Sequence, residues 1–149
     1  MTHHYSSLLG RSPDPESATL RFERLIHDDG LRSNVEKMSE ADLTVFIHLV
    51  SISTFLFRFL LRQPDAAALL TGAPALEAER LAAMADLHQL RLYKYQELLK
   101  ITWMDLQGNS DYRQVLHHLS RLAENIISRC LQLVSARDKN PSQPQVPHY

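Results

Sequence analysis

Leu90-Arg91-Leu92-Tyr93-Lys94-Tyr95-Gln96-Glu97-Leu98-Leu99-Lys100-Ile101-Thr102-Trp103-Met104-Asp105-Leu106 decides the architecture of this chain. The run contains neither glycine nor proline and is rich in strong helix formers, enough for about four or five helical turns. From Ala75 to Leu106 nothing breaks a helix. The stretch therefore predicts one long helix, or two with a bend near Leu87 to Gln89. Gly108 ends it, and Ser110 offers a cap for the next helix. In that next segment Leu116, Leu119, Ala123, Ile126, Cys130 and Val134 recur at three and four residues, and Leu122, Ile127 and Leu131 widen the stripe. Two long helices joined by a short glycine turn pack as antiparallel neighbours. The expected fold is all-α, a bundle of about five or six helices with two long antiparallel C-terminal ones.

Towards the N-terminus the same signals recur. Asp14-Pro15-Glu16 reads as a helix start, with a capping carboxylate, a preset φ and an acid in the first turn. Ala18, Phe22, Leu25 and Ile26 then share a face, and Gly30 is expected to end the helix. Ser39-Glu40-Ala41-Asp42 matches a capping box ahead of Leu43 to Val50. Ser51 and Ser53 mark a break before Phe55 to Arg62. Pro64 closes that helix and opens a short one, Asp65 to Leu70, ended by Gly72 and Pro74. Residues 1–13 are expected to be a flexible terminus, 14–138 a single helical domain, and 139–149, with three prolines among polar residues, a disordered tail. Phe46, Val50, Phe55, Leu56, Phe57, Phe59, Leu60 and Leu61 are too many for one narrow stripe. They imply burial on several sides, or else a patch covered by another chain.

Composition narrows the function classes. With 149 residues, 44% hydrophobic and 22% charged, the chain has the make-up of one globular domain. A formal charge of −1 leaves no polybasic footprint, so neither nucleic acid nor an anionic membrane is expected as a partner. The most apolar run, Val45 to Leu61, is interrupted by His48, Ser51, Ser53 and Arg58 and is shorter than the roughly 20 residues of a span. The N-terminus has no signal-peptide pattern, and a single cysteine fits a reducing compartment, so a cytoplasmic protein is expected. Only four glycines leave little room for hairpins or phosphate loops.

No catalytic, cofactor or metal residues emerge. Of eight histidines no two stand four apart, the spacing that a helical zinc pair needs. Cys130 lies on the apolar stripe of the last helix, where a buried thiol is inert. Asp28-Asp29 precedes Gly30 and reads as a helix end, not as a metal pair. The one suggestive face lies on the central helix: Arg91, Tyr93, Lys94, Lys100, Trp103 and Asp105. Cations and aromatics are enriched at interfaces. The plainer reading is a solvated face whose cations pair with Glu97 and Asp105.

These same residues carry a resemblance. Leu90, Arg91, Tyr93, Lys94, Lys100, Ile101, Thr102, Trp103, Asp105 and Leu106 match a Leu-Arg-x-aromatic-base segment followed by base-Ile-small-Trp-x-Asp-Leu. Downstream, Leu119, Ser120, Leu122, Ala123 and Glu124 match Leu-Ser-x-Leu-Ala-acid. Upstream, Ser53, Phe55, Leu56, Pro64, Asp65, Leu69 and Leu70 match a third piece in order. Together they resemble the helical region preceding the catalytic core of glutamine synthetase adenylyltransferases, over roughly Leu43 to Val134. The chain departs from that family at Tyr95, Gln96 and Lys100, where arginines are common. Lysine lacks the bidentate fork.

The resemblance implies a family that adenylylates glutamine synthetase with ATP and reverses this by phosphorolysis under a nitrogen sensor. Its catalytic core carries Gly-Lys-Leu-Gly-Gly-x-Glu-Leu-Asn and Ser-Asp-x-Asp motifs, which admit phosphates and hold metal ions. These 149 residues contain no Gly-Gly and no Asp-x-Asp, and Ser110-Asp111 is followed by Tyr112 and Arg113. The expected function is a non-catalytic helical module, stand-alone, truncated or split. It would brace a nucleotidyltransferase domain or contact glutamine synthetase, with no cofactor of its own. The competing expectation is an unrelated all-helical adaptor whose leucine-rich helices merely imitate the family.

Overall fold

Side-chain caps divide the chain into helices. The computed structural model describes residues 2–71, 77–108 and 110–139, and every regular element among them is helical. In order these are α1 (Thr2–Gly10), α2 (Pro15–Leu25), α3 (Asp29–Glu36), α4 (Glu40–Ile52), α5 (Thr54–Arg62), a 3-10 turn (Pro64–Ala67) running into α6 (Ala68–Thr71), α7 (Glu77–Ala82), α8 (Leu87–Leu106) and α9 (Tyr112–Asp138). The Asp14 carboxylate accepts from the Ser17 N–H at 3.1 Å, and Ser39 Oγ from the Asp42 N–H at 3.1 Å. Each satisfies one of the orphan donors at a helix start.

Ser53 closes α4 and also caps α5, its Oγ accepting from the Leu56 N–H at 3.2 Å. The two helices diverge there by 107°. Arg21 fastens the corner from α2. Its guanidinium donates to the carbonyls of Val50 and Ser51 at 2.8 and 3.0 Å and to Thr54 Oγ1 at 2.8 Å. The α4 carbonyls left without helical partners are thereby paired.

The core forms two clusters that share one helix. The larger is built on α1 to α5 around Phe22, Phe46, Leu49 and Leu60, with Tyr5 edge-on to Phe22 at 4.9 Å. The smaller joins Leu90, Tyr93 and Ile101 of α8 to Leu122 of α9. Helix α8 gives Leu99 and Trp103 to the first and three residues to the second. It is a wall with core on both sides, which is why apolar residues occur all round it. Gly108, at φ +73°, takes the left-handed conformation that stops α8. Arg129 of α9 donates to the Met84 carbonyl at 2.8 Å, just ahead of α8, so α9 runs back antiparallel along it. The all-α class and the paired long helices are as the sequence predicts.

Several expectations are corrected. The count of about five or six helices becomes nine α-helices among the described residues, because α1 and α3 are separate short helices and α7 stands apart from α8. Ahead of α2 stands α1, which the sequence did not announce, with Leu8 and Leu9 buried in the larger cluster. Gly30 does not end a helix; α2 stops at Leu25, and Gly30 lies in α3, capped by the Asp28 carboxylate on the Leu31 N–H at 2.8 Å. Of the two expectations for the segment leading into α8, the two-helix one holds among the described residues, as α7 and α8, with the break at Ala83–Asp86 ahead of the expected Leu87 to Gln89. There Asp86 accepts from the Gln89 N–H, and the Gln89 side chain accepts from the Ala85 N–H, both at 2.8 Å. The cap of α9 is Asp111 in place of Ser110, in a reciprocal capping box with Gln114. Gly72, Pro74 and the Pro-rich tail from 140 lie outside the described residues.

Candidate functional site

The six residues singled out on the central helix do not share one surface. Tyr93 is fully buried and Trp103 almost so. Lys94 lies half-buried with its Nζ 4.9 Å from the Tyr95 ring. Lys100 Nζ sits 2.8 Å from Glu97 Oε1. Arg91 and Asp105 remain exposed, one near each end of α8. Glu97 has a second partner that spacing did not reveal. Arg80 of α7 reaches its carboxylate and the Gln96 side chain, and the same guanidinium stands over the Tyr93 ring at 5.2 Å. These contacts fasten α7 to α8, so the middle of this face is structural.

Of the nine large apolar side chains exposed among the described residues, six lie on α9. Val115, Leu122, Ile126, Cys130 and Leu133 pack toward α8. Tyr112, Leu116, Leu119, Ile127, Leu131 and Val134 face solvent, with Ile127 60% and Leu131 63% exposed. The stripe read from the sequence is therefore wider than its covered half. Contiguous exposed apolar patches of this kind mark interaction surfaces.

A second surface went unnoticed in the sequence. A cavity of about 430 Å³ lies between α5 and α8, with Arg58, Arg62, His88 and Arg91 on its rim and Phe55, Phe59 and Tyr95 as apolar wall. Phe55 and Phe59 meet Tyr95 edge-on at 5.0 and 5.7 Å. An adjoining cavity of about 360 Å³ is lined by Arg21, Arg24 and Phe57 and again by Arg58 and Arg62. Arg21 and Arg24 stand over the Phe57 ring at 5.4 and 5.8 Å. The signal that could have revealed this belt was present in the spacing. Residues 21 and 24, 58 and 62, and 88 and 91 each lie one turn apart on a helix.

Among the described residues no three His, Cys, Asp or Glu side chains converge as metal ligands. The Asp14 carboxylate is held below its ordinary range, chiefly by the Ser17 side-chain hydrogen bond and then by the Ser17 backbone N–H. It serves the α2 cap, not a reacting centre. No curated protein and no solved structure matches the chain. The sequence profile of glutamate-ammonia ligase adenylyltransferases matches residues 45–145, well over half of the chain, from α4 through α9. The chain belongs to the glutamate-ammonia ligase adenylyltransferase family.

Proposed function

We propose that these residues form a non-catalytic helical module that docks a nucleotidyltransferase domain through the bare face of α9, in the cytoplasmic control of nitrogen assimilation. The observation that carries this reading is the row Leu116, Leu119, Ile127, Leu131 and Val134, left open to solvent on a helix otherwise held by α8. Desolvating such a row supplies association energy at roughly 25 cal/mol per Å² before the costs of binding are subtracted. Family membership supports this choice of occupant, because in this family a nucleotidyltransferase core follows such helices. It also speaks against the resemblance being a coincidence of leucine-rich helices. The 149 residues carry neither the glycine-rich phosphate loop nor the aspartate pair of that core, so adenylyl transfer belongs to the partner.

Two measurements test the proposal. The purified chain, incubated with glutamine synthetase and radiolabelled ATP, transfers no label; label transfer by the chain alone would sink the non-catalytic reading. A separately produced nucleotidyltransferase domain of the family binds the chain, and Ile127→Asp with Leu131→Asp abolishes binding. Retention of binding by that variant, or binding to glutamine synthetase in its place, overturns the assignment of α9 to the nucleotidyltransferase domain.

A further inference from the structure

We propose that the cavity between α5 and α8 binds a small phosphate-bearing polyanion, anchored by Arg58, Arg62 and Arg91. In a chain of formal charge −1, five guanidiniums (Arg21, Arg24, Arg58, Arg62 and Arg91) gather along two adjoining cavities. No carboxylate of a described residue lines either one. Among the described residues Arg58, Arg62 and Arg91 have no acidic partner, whereas Arg32, Arg80 and Lys100 each have one. Uncompensated like charges repel one another, and clefts lined by one sign concentrate the opposite ion. The arrangement is favourable when an anion occupies it.

The residue type narrows the ligand. Guanidinium presents a planar fork that holds phosphate bidentately, whereas lysine offers only a point charge. Two of the three forks come from successive turns of α5 and the third from α8, so they converge from two rigid walls. Their donors exceed what one carboxylate accepts and suit a pyrophosphate or a bisphosphate. Phe55, Phe59 and Tyr95 give the uncharged part of such a ligand an apolar wall. The volume lies in the range of small-molecule sites, roughly 300–1,000 Å³. A nucleic acid strand would instead need an extended groove with open stacking platforms. None of the lining residues belongs to α9, so the site stands apart from the proposed docking face.

Calorimetric titration of the full chain with inorganic pyrophosphate, at fixed ionic strength, tests this. Wild type is expected to bind saturably below millimolar concentration. Arg58→Gln and Arg91→Gln should each weaken binding about tenfold or more, and Arg91→Lys by less. Arg113→Gln, which removes an exposed charge on α9 far along the chain from the cavity, should leave it unchanged. The three arginines are exposed, so these variants should fold, and circular dichroism verifies it. Absence of saturable binding at millimolar pyrophosphate overturns the proposal. Equal weakening by Arg113→Gln overturns it too, as does equal affinity for citrate or tighter binding of an oligothymidylate.

Discussion

Helices α4 and α9 are both rich in apolar side chains, yet six of the thirteen residues of α4 are buried and, of the 27 in α9, only Leu122 is. The difference lies in their surroundings. Helix α4 is enclosed by α1, α2, α5 and α8, whereas α9 packs chiefly on α8. An apolar stripe in a sequence records which sides of a helix avoid water somewhere, in this chain or against another. In α4 that requirement is met within the fold; in α9 half of the stripe stays open to solvent.

The contrast is broken or sharpened by substitution, beginning where the effect is greatest. Phe46→Ala in α4 empties a fully buried position and should cost about 3–5 kcal/mol in urea denaturation. Glu97→Ala leaves the half-buried Arg80 and Lys100 without their shared counter-charge and should cost about 2 kcal/mol. Glu97→Gln, which still accepts hydrogen bonds, should lose less in the same assay. Asp111→Ala removes the α9 cap and should cost about 1 kcal/mol, with faster amide exchange confined to the first turn of α9.

On the outer face, Ile127→Ser and Leu131→Ser should change stability by less than about 0.5 kcal/mol. A loss like that of Phe46→Ala would mean this face is already packed, and the comparison would fail. The smallest effect concerns pH. Because the Asp14 carboxyl is held below its ordinary range, its contribution is fully present above the unfolded carboxylate value of about 4. It is lost as pH falls through the lower folded value. The melting temperature of Asp14→Asn should therefore trail wild type at neutral pH and converge with it in acid.

Much of this arrangement was legible in the sequence. Asp14, Ser39, Ser53 and Gly108 mark their helix ends because each acts through its own backbone neighbours. The antiparallel α8 and α9 follow from the shortness of the turn between them. Other features depend on neighbours distant in sequence and were not legible. Helix α1 is held by residues distant in sequence, the apolar neighbours that bury Leu8 and Leu9. Tyr93 and Trp103 look like interface aromatics until core appears on both sides of α8. The break at Ala83–Asp86 was readable, since Asp86 and Gln89 have the spacing of a capping pair. The arginine-lined cavity needed the fold, because α2, α5 and α8 come together only in three dimensions.

Ser53 has a consequence for that cavity. As the last cap of one helix and the first of the next, it leaves the 107° corner no spare residue. Inserting a single alanine after it would rotate α5 by about 100° about its axis. Arg58 and Arg62 would then be carried away from the cavity they line together with Arg91. The register of one serine thus governs whether three guanidiniums line a common cavity.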